Sequence, residues 1–380
     1  MALRKDRGTR KRCGALLCIG CSPVDIIGKQ DVRERGDRRL RMVLISILIS
    51  VVVYFGIAAV LIVTGKPGKP DRDETGLDFK GLFIDYSGLP ELKQFRARDG
   101  AVLSYRHYPS LSEKILILLH GSGYHSRYLF PLARFISTQG LAHVYTPDLR
   151  GHGQEPVRRG DVDYIGQLAD DVADLIAVAR RDHPDAMVIV GGHSSGGGLA
   201  VRFAGSRCGK EADAYLLLSP FLKYNAPTMR PHSGGWAEPY TRRIVGLVML
   251  NNVGIRWFNH LPVIRFNMPE NARDGSETLS YSFRLNSAYA PQDYKKDLSA
   301  IRQPLLVVVG TADEAFEASQ FKPVISQYTS GQVVLLDGVT HMGVVVGKEI
   351  HSTIGPWLRN LTGGKLDQRA ANPNNIFTER

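Results

Sequence analysis

MVIVGGHSSGGGLA, residues 187–200, is the stretch on which the reading of this 380-residue chain turns. Four apolar residues, Met187–Val190, have the composition of a short buried strand. Gly192-His193-Ser194-Ser195-Gly196 then makes a glycine-flanked turn, and 196–204 has the spacing of a helix. A G-x-S-x-G placed between a strand and a helix holds its serine in a strained backbone conformation, with glycine on either side where a Cβ would clash. The following helix points its N-terminal N–H groups at any negative charge that develops there. Ser194 is therefore the candidate nucleophile. Ser195 lies off the apex, and its backbone N–H is a candidate oxyanion donor.

Working outward, strands and helices alternate on both sides of this turn. Strands are predicted at Ile115–Leu119, Ala142–Thr146, Tyr215–Leu218, Pro304–Val309 and Val333–Leu336, with a hairpin over Phe95–Tyr108 about Asp99-Gly100. Helices are predicted at 127–138, 163–180 and 315–327. Such repetition implies a mostly parallel sheet covered by helices on both faces. The alternation breaks over about 221–300, which holds six prolines and the apolar segment IVGLVML at 244–250. Lying between two predicted sheet strands, this stretch reads as an inserted cap.

A serine nucleophile needs a base, and the base an orienting acid. Of eleven histidines, His341 in LLDGVTHMG follows the last predicted strand, and Asp313 in VVVGTADEA follows the one before it. Both fall where loops leave the C-terminal edge of the sheet. Glu314 is the rival acid; Asp148 also follows a strand but precedes the serine. His120-Gly121-Ser122-Gly123 after Ile115–Leu119 leaves backbone N–H groups unpaired, as an oxyanion hole requires, and Ser122 would supply the second donor. His120, His152 and His193 read as structural hydrogen-bonders. There is no H-E-x-x-H or comparable ligand cluster, so neither a metal nor a cofactor is expected.

Four ordered motifs, HGSGYHSRYLFPLARFISTQGLAHVYTPDLRGHGQ (120–154), GGHSSGG (191–197), GTAD (310–313) and THMG (340–343), resemble the monoacylglycerol lipase and lysophospholipase branch of the α/β-hydrolases. The serine aminopeptidases share these motifs. The resemblance covers about 92–362. It implies an α/β-hydrolase fold with Ser194 as nucleophile, Asp313 as acid, His341 as base and Ser122 and Ser195 as oxyanion donors. Asp148, Arg150 and His152 match the family's D-x-R-G-H-G loop. Ser195 is a departure, standing where the family commonly has Met or another bulky residue. The expected activity is hydrolysis of a monoacyl lipid ester through an acyl-enzyme. A peptidase, amidase or acyltransferase would use the same triad, and an inactive binding protein is the alternative of a different class.

Net charge is +11, but residues 1–41 alone hold twelve Lys or Arg against five acidic residues. The rest carries no basic patch interleaved with aromatics, so a nucleic-acid partner is not expected. Met42–Val63 has no charge and no proline. Its twenty-two residues span about 33 Å as a helix, enough to cross the roughly 30 Å core of a bilayer. The arginines before it predict a single-pass membrane protein with a cytoplasmic tail and an extracytoplasmic catalytic domain. A signal peptide cleaved near Val63-Thr64-Gly65 is the alternative. Residues 64–91 are expected to form a stalk or linker, 92–362 the hydrolase domain and 363–380 a disordered tail. Cys13, Cys18 and Cys21 lack zinc-ligand spacing and read as incidental thiols, with palmitoylation or redox chemistry as alternatives.

Overall fold

The computed structural model describes residues 23–65 and 76–362. Cys13, Cys18, Cys21, most of the expected stalk before Gly76 and the tail from 363 lie outside the described residues.

The first element, α1 (Pro23–Thr64), exposes apolar side chains from Leu40 to Val63. By length and composition, Arg33–Thr64 could cross a membrane. The chain divides into two units between Ile57 and Ala58, inside this helix.

In the second unit the order is β1 (Lys93–Arg96), β2 (Val102–Tyr108), β3 (Lys114–Leu119), α2 (Phe130–Thr138), β4 (His143–Asp148), α3 (Gln167–Asp182), β5 (Met187–His193), α4 (Ser195–Ala204) and β6 (Ala214–Leu218). Next come β7 (Ala237–Pro239), α5 (Thr241–Asn252), β8 (Pro262–Phe266), β9 (Ser280–Ser282), α6 (Phe283–Tyr289) and α7 (Tyr294–Ser299). The last are β10 (Leu305–Gly310), α8 (Phe321–Tyr328), β11 (Gln332–Leu336), α9 (Gly343–Val346) and α10 (His351–Asn360).

These strands form an eight-stranded sheet in the order β1-β2-β4-β3-β5-β6-β10-β11. From β4 to β11 the neighbours run parallel, while β1 and β2 form an antiparallel hairpin at one edge. Strands β3, β6 and β10 are near-continuous apolar runs because helices cover them; each of the five residues Ile115–Leu119 is fully buried. Helices α2 and α9 pack together, and α3, α4, α6, α7 and α8 form a second contiguous layer. This is the α/β-hydrolase arrangement that the alternation implied.

Three local expectations change. The helix predicted from Ala315 begins only at Phe321, because Ala315 and Phe316 give their N–H groups to Asp313 and Phe316 bridges Met229. In the expected cap, a three-stranded antiparallel sheet (β7-β8-β9) and α5 stand apart from the main sheet, but α6 and α7 pack against α4 in the body. Leu285, Ala288, Tyr289 and Leu298 bury that contact; the density of prolines around it hid two short helices. Residues 76–91, expected as linker, pack onto the domain, with Leu77, Phe79 and Leu82 buried. Averaging over the neighbouring Gly, Pro and charge masked these three apolar anchors.

Candidate active site

Strand β5 delivers the chain to Ser194, which sits at φ 56° and ψ −122°. For a residue with a Cβ this is a strained region, tolerated only when the surroundings over-determine it. Here they do: Ser194 N–H donates to Leu218 O at 2.9 Å, and Ser194 O accepts from Phe221 N–H and Gly198 N–H at 2.9 and 3.1 Å. The two glycines are steric necessities. A Cβ on Gly192 would fall 2.3 Å from the Gly196 carbonyl, and one on Gly196 2.4 Å from Leu119 O.

Strands β10 and β11 pair in parallel up to Gly310 and Leu336, so the loops beyond them leave the same edge of the sheet as Ser194. Asp313 Oδ2 accepts from His341 Nδ1 at 2.9 Å, and its Oδ1 accepts from the Ala315 and Phe316 N–H groups, each at 2.9 Å. Burial would raise the carboxyl's pKa, but His341 and these donors hold it below its ordinary value, so it stays ionised. With Nδ1 engaged by Asp313, Nε2 is the other ring nitrogen of His341. Ser194 and His341 line one cavity. Glu314, the rival acid, instead accepts from His341 N–H at 2.9 Å and from Asp78 N–H at 3.1 Å. It holds the histidine loop by its backbone and the 76–91 segment beside it.

The Gly121-Ser122-Gly123 turn approaches the serine so closely that a Cβ on Gly121 would lie 3.0 Å from Ser194 Cβ. Gly121 N–H donates to Tyr128 Oη at 2.7 Å and Gly123 N–H to Tyr281 Oη at 2.8 Å. Between them, Ser122 N–H has no acceptor among the described residues, and neither has Ser195 N–H. These are the two donors the sequence nominated.

Tyr128 was not anticipated. Its hydroxyl also meets His193 Nδ1 at 2.9 Å, while His193 Nε2 donates to His341 O at 3.0 Å. Burial, and then the neighbouring His341, push His193 well below its ordinary pKa, so it is neutral. One chain of bonds therefore ties the Gly121–Gly123 turn, the Ser194 turn and the His341 loop. No motif signals this role; Tyr128 is legible only as an apolar-facing position of a predicted helix. His120 and His152 are structural, accepting from Leu149 N–H at 3.0 Å and meeting Tyr281 Oη at 2.6 Å. Asp148 accepts from Ser126 N–H at 2.9 Å, away from His341.

The cavity over Ser194 is walled by Leu77, Phe79, Leu82, Trp236, Met268 and Met342, and holds about 20 Å³ of free volume. That is room for about one water. Phe79 and Trp236 pack against each other over it, ring centroids 5.4 Å apart.

The serine aminopeptidase S33 family matches residues 111–344, more than half of the chain. The chain belongs to this family. Within it, this hydrolase is similar to the monoglyceride lipase of Homo sapiens, 29% identical over 239 residues that cover 60% of this chain and 75% of that one. It is also similar to a monoacylglycerol lipase of Mycolicibacterium smegmatis, 33% identical over 28% of this chain and 37% of that one. Among solved structures, a soluble variant of the Saccharomyces cerevisiae monoglyceride lipase with a substrate analogue superposes with a TM-score of 0.54. It covers 73% of this chain and 96% of that one at 17% identity, a likeness of fold.

Proposed function

We propose that this hydrolase cleaves monoacylglycerol-like esters, with Ser194 attacking the carbonyl, His341 taking and returning the proton, and Asp313 orienting the imidazole and stabilising its charge. The Ser122 and Ser195 N–H groups would hold the oxyanion. The observation that carries this reading is the strained serine lining one cavity with an Asp-paired histidine, under apolar walls. Such walls suit an acyl chain.

The monoglyceride lipase relatives favour a lipid substrate, and so does the cap's surface. Helix α5 and the turn after it expose Val245, Val248, Val253, Trp257 and Phe258. The same helix packs on Ala58–Thr64 of α1: Arg243 Nε donates to Ile62 O at 3.1 Å, and a Cβ on Gly246 would lie 2.8 Å from Ala58 O. In this proposal α1 is a membrane anchor, the domain is extracytoplasmic, and the apolar cap faces a lipid surface.

The test is a series of p-nitrophenyl esters from acetate to dodecanoate, run beside monoacylglycerols, lysophospholipids and aminoacyl anilides. We expect kcat/KM to rise about fourfold per methylene, the worth of roughly 0.8 kcal/mol of burial, until the site is filled. A flat ester profile, or turnover of anilides in preference to esters, would overturn the lipid reading.

A further inference from the structure

His107, His143 and His183 are separated by 36 and 40 positions, and no motif connects them. The fold nevertheless brings one ligand nitrogen of each to within 4.8 Å of the other two. Strands β2 and β4 pair antiparallel with His107 opposite Tyr145, so His107 and His143, two residues before Tyr145, share one face of the sheet. His183 ends α3 beside them, its N–H donating to Ala179 O at 3.1 Å. The His143 and His183 ring centroids are 3.8 Å apart, and the His107 ring is 5.9 and 6.4 Å from them.

We propose that these three histidines bind a zinc ion at the sheet edge opposite the active site, with Asp182 or a water as fourth ligand. Imidazole nitrogens of this number suit Zn²⁺, and a tetrahedral site places ligand atoms about 3.4 Å apart. Closing the 4.8 Å gap is a matter of side-chain torsion, chiefly of half-exposed His183. His107 Nε2 is buried without a hydrogen-bond partner among the described residues, an arrangement that costs stability unless something occupies its lone pair or proton. Asp182 adds a negative charge that acts on His107, opposed by Lys93 on β1. His143 Nδ1 accepts from Ser110 N–H at 3.1 Å; coordination through Nε2 would release that bond in exchange for the metal.

Since His143 opens β4 while Ser194 follows the end of β5, the ion would be far from the chemistry. Its part is structural: it would staple the edge hairpin to β4 and to the α3–β5 connection, without any step in ester hydrolysis.

The full chain in detergent, carrying Cys13→Ser, Cys18→Ser and Cys21→Ser to remove competing thiols, would be stripped with chelator and titrated with Co²⁺ and Zn²⁺. The expected result is one saturable equivalent, with the intense visible absorption of a tetrahedral cobalt site, and a higher melting temperature with zinc. His107→Gln and His183→Gln should each weaken binding by at least about tenfold, because losing a ligand costs no less than losing a ligand's support. Both should keep wild-type kcat/KM on a short activated ester. X-ray absorption of the zinc-loaded chain should count three imidazoles, a readout that does not depend on any variant folding. Fewer imidazoles, no saturable site, or binding that survives the two substitutions together would overturn the proposal.

Discussion

At Ser194 a positive φ is kept only because three backbone hydrogen bonds and two glycines leave the chain no alternative. The proposed roles make sharp demands on single residues. Ser194→Ala and His341→Ala should each abolish ester hydrolysis, and combining them should add little, since triad members act as a unit. Asp313→Asn should be milder, because the acid orients and stabilises the imidazole and does not take its proton. Ser195→Ala should stay active, for the proposed donor is a backbone N–H that alanine keeps. These are kcat/KM measurements on one activated ester with folding checked by circular dichroism; an active Ser194→Ala beside a dead Ser195→Ala would shift the nucleophile by one residue. Tyr128→Phe is a separate prediction. It strands Gly121 N–H and His193 Nδ1, a loss of about 1–3 kcal/mol visible as a lower Tm. It should also lower kcat about tenfold with little change in KM, because a slack turn misplaces Ser122 N–H in the transition state. A kcat unchanged in a destabilised variant would reduce Tyr128 to a packing residue.

At the level of elements, α7 carries a carboxylate whose charge the fold resists. Burial raises Asp297 to a pKa of about 6, against the attraction of Arg202 and with Asp293 adding to the rise. A carboxyl raised in the folded state binds its proton more tightly there than in the unfolded chain. Folding is therefore favoured most at low pH, and that share of stability is lost as pH climbs from its ordinary value of 3.8 through about 6. Asp297→Asn should abolish this dependence. With Asp297 about half-buried, the gain at pH 8 is expected on the order of 1 kcal/mol after solvent screening. Comparing Tm of parent and variant at pH 5 and pH 8 checks it: the variant's advantage must be larger at pH 8. The same short helix shows why the cap boundary was hard to place. Its six residues bury Tyr294 and Leu298 against the body, too few for a helical period to stand out among the prolines.

For the whole molecule, the charges that flank the apolar helix bear on its orientation. Arginines crowd the N-terminal flank of 42–63, whereas the following residues mix both charges. If that bias sets topology, a reporter fused after Arg380 should be active only outside the cytoplasm. A cytoplasmic signal would reverse the proposed localisation, and a soluble form starting near Lys66 would point to a cleaved leader.

The local signals were legible because they are enforced within a few residues. A glycine-flanked serine turn needs glycine at fixed offsets, buried parallel strands need unbroken apolar runs, and a long apolar helix needs uncharged length; the Ser194 turn, the positions of the strands along the chain and the 42–63 apolar stretch could be read from these alone. Of the two adjacent carboxylates, position favoured Asp313 to meet His341, with Glu314 left as the rival. The structure decides between them by the direction each side chain takes as the chain leaves β10: Asp313 reaches His341 Nδ1 with its other oxygen held by the N–H groups of 315 and 316, and Glu314 reaches the backbone N–H of His341. Tyr128 and Tyr281 hold the two ends of the Gly121–Gly123 turn, and Phe79 packs on Trp236 in the wall of the cavity that Ser194 lines, through contacts made across the layers of the fold. The three histidines at the far edge meet by strand register and by the place where α3 stops. Sequence distance carries no trace of such meetings, because packing and register decide them only once the whole sheet has assembled.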